Sequence, residues 1–439
     1  MNRVFGKLIL MVNVFFSVWG NEKSARVEEI TSPEGIEFWY LYENTPLVQI
    51  FIAFRNAGAA YQEKSKAGVP VFFSRTVFCG SGKYSSTQFK EECSNLAVKI
   101  SASAGADNLY YTFTSPKIVL DEAIFLLNMA ITSPNFEEDK VKIIQNSIGS
   151  SLQNYAASPS EIAFSSMIPA RIFKHHAYGY GKYGSPENFM KISIEDLKYF
   201  KSKFIVRSNA VVCIVGDISK EEAASLVDKV FQGVEKGEAS QDHIEDIAPE
   251  LDSEVKKYYA DGPQSSIFFV LKSEPPQSAK RYAVMILYKI LGEGQVFRGR
   301  ILSKLRTESG LIYGGTVHYV DMKHANYILG ELRTDNSKVM ETIDLLKVII
   351  KDLRENGISE SELQFAKNNI KGRMLVGLRT SENLCSFYFY KKLQGYKTAV
   401  LEETIQRICR VQLEEVNSLA KEMLDENKMP IIVIGGAKK

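Results

Sequence analysis

The sequence predicts an α+β protein made of two similar halves, each a mainly antiparallel sheet covered by helices. Three observations predict it. Strand-like segments come in adjacent pairs at hairpin spacing, helical segments follow them, and one order of elements is run through twice. That order is strand, two helices, two strands, several helices, strand. Between the two runs lies Gln232–Glu254, polar, acidic and without an apolar period. This is linker composition; a surface loop within one domain is the alternative, and the length favours a boundary.

Taken in order, Ile36–Tyr42 and Leu47–Arg55 are rich in β-branched and aromatic residues and flank the turn-like Glu43–Pro46, so both read as strands. Gly68–Gly80 has a small-residue entry, an apolar run and a glycine stop, which is a helix. Ser85–Val98 sets Phe89, Cys93, Leu96 and Ala97 at helical spacing. Lys99–Ser103 and Leu109–Thr114 form a strand pair joined through Gly105-Ala106-Asp107. Helices are expected over Lys117–Thr132, stopped by Ser133-Pro134, over Glu137–Tyr155, stopped before Ser158-Pro159, and over Glu161–Phe173. An aromatic, glycine-rich loop leads to helix Ile194–Phe204, the strongly apolar strand Ala210–Gly216 and the amphipathic helix Lys220–Phe231. The second run comprises strand Ser265–Lys272, helices Lys280–Leu291 and Val296–Arg306, strands Leu311–Val320 and Asn326–Thr334, helices from Ser337, Ser359 and Glu382, and strand Pro430–Gly435.

Composition bounds the function. The 439 residues are 45% hydrophobic and 24% charged, enough to bury substantial cores and unlike a disordered chain. Fifty-four basic residues against 52 acidic ones leave a net charge of +2. Nothing there suggests nucleic acid, whose phosphates call for a concentrated basic surface. Residues 1–20 carry Arg3 and Lys7, the apolar run Leu8–Trp19 and a small residue, Gly20, in the three-part form of a secretory signal. An exported protein is expected, periplasmic in a Gram-negative source, with an uncleaved anchor as the alternative. The apolar run does not suit an Arg/Ser-rich mitochondrial presequence. Cys79, Cys93, Cys213, Cys385 and Cys409 form no Cys-x-x-Cys pair, so no zinc knuckle or thioredoxin-type site is indicated. Cys213 reads as a buried strand residue, and a disulfide elsewhere stays open.

Several stretches together resemble the pitrilysin/insulinase zinc metallopeptidases, which include mitochondrial processing peptidase and bacterial relatives. Gly68–Gly80 stands where that family has its zinc helix, followed by Lys83-Tyr84-Ser85. Ser101–Thr114 is similar to its next strand pair, His176-Ala177-Tyr178-Gly179 to its His-Pro-Tyr-Gly loop, and Asn209–Asp217 to its Asn-to-Gly-Asp strand. Gly292–Tyr313 is the most specific, resembling a glycine-rich turn, Ser-Arg-Leu and Leu-Arg-Glu-x-x-Gly-Leu-x-Tyr. The resemblance runs from about Ile36 to the C-terminus. It implies two pitrilysin-like domains, here expected at 21–231 and 257–439, with a signal at 1–20 and a linker at 232–256.

Carried over residue by residue, the resemblance puts the two zinc histidines at Val71 and Arg75 and the catalytic glutamate at Ser74. The third ligand, counted back from Pro159, falls on Ser150 or Ser151. None of these types makes a hydrolytic zinc site, which needs three protein ligands, an activated water and a base. No His-x-x-Glu-His or inverted equivalent occurs elsewhere. By the same resemblance, Arg306 and Tyr313, seven positions apart, match a pair that bonds substrate backbone and supports the tetrahedral intermediate. A guanidinium fork and a phenol suit that task; local pairing of Arg306 with Glu308 and a plain strand start at Tyr313 are the alternative. The expectation is therefore a zinc-free, non-catalytic subunit that binds no cofactor itself. It would bind peptide substrates and give Arg306 and Tyr313 to a partner of the same family carrying His-x-x-Glu-His and the zinc. A homodimer, a structural or assembly protein, and a peptide-binding envelope protein remain alternatives.

Other signals are weaker. Gly179–Gly184 satisfies Gly-x-Gly-x-x-Gly but follows a helix, so it reads as an aromatic surface loop. His175-His176 lacks a third ligand. Phe387–Tyr390 reads as core packing, with a substrate-contacting wall as runner-up. Arg298, Arg300 and Lys304 read as a solvated helix face or part of a subunit contact, and Gly292-Glu293-Gly294 as a helix–helix turn.

Overall fold

Two sheets organise the protein, and their strand orders correspond. The structure is a computed structural model describing residues 26–154, 158–275, 277–292 and 299–436. The expected signal at 1–20, the end of Glu137–Tyr155, Glu293, Gly294 and Val296–Arg298 lie outside the described residues. The first sheet contains β1 (Glu28–Thr31), β2 (Glu37–Tyr42), β3 (Leu47–Phe54), β4 (Lys99–Ala104), β5 (Leu109–Pro116) and β6 (Ala210–Gly216), in the order β1-β2-β6-β3-β5-β4. The second contains β7 (Val255–Tyr258), β8 (Gln264–Lys272), β9 (Ile312–Asp321), β10 (Asn326–Asp335) and β11 (Ile431–Ile434), in the order β7-β11-β8-β10-β9. Setting β7, β11, β8, β10 and β9 against β2, β6, β3, β5 and β4 makes the orders identical. In both sheets one pair is parallel, β2 with β6 and β7 with β11, and the rest are antiparallel.

One face of the first sheet is covered by α1 (Val69–Thr76), α3 (Leu120–Thr132), α4 (Glu138–Gln153), α7 (Ile194–Phe204) and α8 (Lys220–Val230), with α2 (Ser86–Asn95) alongside. These helices take their ends from the sequence. Ser85, Ser193 and Ser219 close capping boxes with Gln88, Asp196 and Glu222, satisfying the orphan N–H groups of the first turn. In the second half, α9 (Arg281–Leu291), α10 (Arg300–Leu302), α11 (Val339–Asn356), α12 (Glu360–Gly377), α14 (Val400–Arg410) and α15 (Leu413–Met423) build the equivalent core.

The opposite faces are covered by exchange. Helix α13 (Ser381–Leu393), from the second half, lays Cys385, Tyr388 and Phe389 on Trp39, Phe51 and Cys213 of the first sheet. Segment α5 (Pro159–Ile162), a π turn (Ala163–Met167) and α6 (Ile168–Ile172), from the first half, lay Ile168, Ile172 and Phe173 on Phe268, Val270 and Ile432 of the second. Each half thus completes the other's core. Of the aromatic run Phe387–Tyr390, Tyr388 and Phe389 are buried as expected of core residues, but against the sheet of the other half, while Phe387 is partly buried and Tyr390 exposed.

The polar stretch between the halves is strapped along the seam. Ile247 N–H donates to His324 O (2.9 Å), Glu250 N–H donates to Ile172 O (2.8 Å), and Val255 and Lys256, expected in the linker, belong to β7. The two equivalent hairpin turns meet there. Asp107 accepts from the Tyr178 hydroxyl (2.7 Å) and from Lys323 N–H (3.1 Å), while the imidazole of His324 sits between Asp242 (3.1 Å) and Asp246 (2.8 Å). The five cysteines are free thiols, and Cys213 is buried in β6.

Candidate functional site

Helix α1, expected at the place of a zinc helix, is buried and carries no imidazole or carboxylate. Pro70 starts it, where a missing N–H costs nothing. Phe72 and Phe73 anchor it edge-on or tilted against Phe189 (5.3 Å between centroids) and Phe200 (5.0 Å). Of its eight residues only Arg75 is exposed. Val71 is 3% and Ser74 2% exposed, and the Ser74 hydroxyl donates to the Val71 carbonyl at 2.8 Å, inside its own helix.

Helix α4 packs against α1 and turns Val141, Gln145, Gly149 and Leu152 inward. Ser150 and Ser151 lie on its exposed side, and Ser151 Oγ donates to Ser147 O (3.0 Å). The buried residue of that last turn is Leu152, whereas Ser150 and Ser151, where the third ligand was expected, are exposed. Val71, Ser74, Arg75 and Leu152 offer no imidazole, thiolate or carboxylate, so the residues present do not fit zinc. Among the described residues no group of three or more His, Cys, Asp or Glu could hold a metal ion.

A charged cluster borders α1 instead, and the sequence reading missed it. Glu161 on α5 accepts from Lys182 Nζ (2.8 Å) and the Tyr183 hydroxyl (2.8 Å), and the Arg75 guanidinium acts electrostatically on both Glu161 and Tyr183. Burial opposes ionisation of Glu161, but the bonds from Lys182 and Tyr183 outweigh it and hold the carboxyl below its ordinary value. The cause of the arrangement is Pro169. It has no N–H for the Ser165 carbonyl, so the expected helix Glu161–Phe173 breaks into a π turn and that carbonyl takes Lys182 N–H at 3.0 Å. Gly181 adopts φ +68° to come this close: a Cβ there would meet Ser165 O at 2.7 Å. Gly68, at the start of α1, likewise leaves room for the Tyr183 carbonyl, with which a Cβ would collide. A proline within an expected helix, followed by closely spaced glycines, was the available signal.

Arg306 and Tyr313 are both exposed. Arg306 lies in a π turn (Ser303–Glu308) that continues α10, a geometry frequent at functional sites. Tyr313 is the extra residue of a β-bulge. Pairing along β10 passes from Arg333↔Gly314 to Thr334↔Ile312, so Tyr313 has no partner across the ladder, and its side chain is 57% exposed. Bulges at sheet edges re-aim side chains, and β9 is an edge strand, as β4 is in the first sheet.

The weaker signals resolve structurally. His176 accepts Tyr178 N–H on Nδ1 (3.2 Å), so its Nε2 carries the proton donated to Glu245 O (3.0 Å). Tyr178 and Tyr183, expected on a surface loop, are buried. Arg300, expected on a solvated or subunit-contact face, is instead tied within the chain to Glu362, Asp352 and the Gly357 carbonyl.

Comparison with known proteins supplies the context. A family model described as insulinase (peptidase family M16) matches residues 43–184, and one described as peptidase M16 inactive domain matches residues 191–370. The chain is 23% identical over 399 residues to a protein of Helicobacter pylori named non-peptidase homolog YmxG, covering 90% of each. It is 20% identical over 397 residues to the bovine mitochondrial-processing peptidase subunit beta, covering 87% of this chain and 78% of that one. A crystal structure described as a peptidase M16 inactive domain from Pseudomonas fluorescens superposes with a TM-score of 0.83 at 21% identity, over 94% of this chain and 99% of the other, and shares its fold.

Proposed function

This chain belongs to the insulinase family of peptidases, M16, and from that membership we propose that it is the non-catalytic, peptide-binding subunit of a two-chain zinc peptidase. The observation that carries the reading is the contrast between α1 and β9. The positions that would hold and use zinc are filled by Val71, Ser74, Arg75 and Leu152, whereas Tyr313 is turned outward on a bulge, seven residues after an exposed Arg306. In this reading the partner supplies zinc, its ligands and the base. This chain supplies a forked cation and a phenol, which can bond a substrate backbone and the oxyanion that develops on its carbonyl. Two copies of this chain would leave both sites without donors, so a zinc-bearing relative is the fitting partner. The bovine relative, named as a subunit, is consistent with such a division.

The free edge of β4 supports the peptide-binding part. Among the described residues no strand pairs with its outer side, and Lys99, Ser101 and Ser103 are exposed, so an extended peptide can add to it by main-chain bonds. Export of the complex, to the periplasm in a Gram-negative cell, belongs to the same proposal.

The test is hydrolysis of a quenched fluorescent peptide by the His-x-x-Glu-His relative from the same genome, with and without this chain. Activation that falls on Arg306→Ala or Tyr313→Phe, with no hydrolysis by this chain alone, establishes the shared site. A folded, zinc-loaded relative that this chain does not activate overturns it and brings a structural or assembly role forward.

A further inference from the structure

A half-open cavity of about 210 Å³ lies at the seam of the two halves. Its wall is mostly apolar, with Ala60, Ala106, Phe164, Phe173 and Tyr327 among the lining residues, and Lys182 joins them. Several of the polar groups around it are already satisfied within the chain. The Tyr178 hydroxyl is bonded to Asp107 and His324 N–H, and the Ser165 carbonyl to Lys182 N–H. The cavity therefore offers a mostly apolar wall, and its size suits one large side chain, since roughly 150 Å³ of apolar space is enough for benzene.

Charge and strand geometry select what enters. Lys182 leads from the cavity to Glu161 and Arg75, and two cations against one carboxylate leave that border with a net positive charge. The edge strand β4 ends at Ala104, and the next two residues, Gly105 and Ala106, line the cavity. A peptide laid along β4 would consequently pass the cavity mouth at one end of its pairing.

We propose that this cavity, with Lys182 and Arg75 at its border, is an anchoring subsite for an extended peptide, taking one large apolar side chain with a neighbouring carboxylate on the two cations. The subsite rests on the peptide-binding role proposed above and adds a substrate class to it. The carboxylate has two sources, a C-terminus or an acidic side chain, with the same chemistry.

The experiment is fluorescence anisotropy of fluorescein-labelled nonapeptides with the full chain. One peptide ends in Phe with a free carboxylate, one carries internal Phe-Glu with an amidated C-terminus, and controls replace Phe by Ser or remove the carboxylate. The expected result is at least about tenfold tighter binding of one Phe-carboxylate peptide than of its controls, and the retained arm identifies the carboxylate source. Ala106→Leu, which fills the cavity, and the double substitution Arg75→Gln, Lys182→Gln should each abolish the preference. Arg75 is exposed, so Arg75→Gln alone keeps the test valid if Ala106→Leu does not fold, and should weaken binding several-fold. Binding that ignores Phe, the carboxylate and these substitutions overturns the subsite but leaves the peptide-binding subunit standing. Peptides bound neither by the chain alone nor by its complex with the zinc-bearing relative overturn both.

Discussion

Arg171 and Ile431 are joined across the seam: Nη1 of the arginine donates to the carbonyl of the isoleucine at 2.7 Å. The same guanidinium, 6% exposed, gives Nη2 to the Glu254 carbonyl (2.6 Å) and Nε to Asp252 (3.2 Å). One side chain on α6 thus holds the linker and the last strand of the opposite half. Arg171→Ala leaves the buried Ile431 carbonyl and the part-buried Asp252 and Glu254 acceptors without this partner and should cost about 2 kcal/mol. Arg171→Lys should recover only part, since an ammonium cannot fork to three partners. Urea denaturation measures both; a loss below about 0.5 kcal/mol, the range of ordinary surface changes, would show that the seam does not depend on Arg171.

Hairpin strands were legible because alternating or apolar β-branched runs flank turn residues, as in Leu109–Pro116. The repeat was legible because both halves use the same element order. Glu28–Thr31 and Val255–Tyr258 escaped: four residues each, charge-rich, they become strands only by pairing with β2 and β11. The exchange of α13 escaped for another reason. Cys385, Tyr388 and Phe389 announce a buried helix without saying which sheet buries it. At the site, the absent donors at Val71 and Ser74 were visible in the residue types alone. Leu152 and the Arg75–Glu161 cluster were not, because they depend on where α4 turns and on the break at Pro169.

Tyr313→Phe removes one hydroxyl from a side chain that is 57% exposed, so stability should change by less than about 0.5 kcal/mol. Its effect should appear only in the complex with the zinc-bearing relative. Loss of one donor to an oxyanion typically lowers turnover on the order of 10²-fold, and that is expected here in kcat. A change confined to KM would mean that Tyr313 binds ground-state peptide without supporting the transition state.

Rebuilding the helix motif should fail on its own. Val71→His, Ser74→Glu and Arg75→His place donors on α1, but the inward residue of α4 remains Leu152, and a carboxylate at the 2%-exposed Ser74 is buried without a partner. The triple variant should lose about 3 kcal/mol or more, and zinc should not raise its melting temperature. Adding Leu152→Glu supplies a third protein ligand, after which zinc should restore stability by binding only the folded state. Micromolar zinc binding by the triple variant in calorimetry would show that Leu152 does not occupy the third-ligand place.

Acid should loosen the second half through Glu362. Its carboxylate takes both arms of Arg300 (2.7 and 2.8 Å) and Ser359 N–H (2.8 Å), and the Arg300 bonds, outweighing burial, bring its pKa down to about 2 from an ordinary 4.5. A carboxyl whose folded value lies below its unfolded one binds fewer protons folded than unfolded. Its contribution is therefore complete above about pH 4.5 and is lost as pH falls toward 2. Because the pair is partly exposed, screening reduces that contribution to about 1 kcal/mol. Glu362→Gln should be less stable than the parent chain at pH 6 and lose less between pH 4.5 and 3. Urea midpoints at the three pH values give the comparison, and parallel losses in the two proteins would place the acid sensitivity elsewhere. Asp242 is the next group to test, since the bonds from Lys323 and Tyr61 overcome its burial and hold its pKa at about 2.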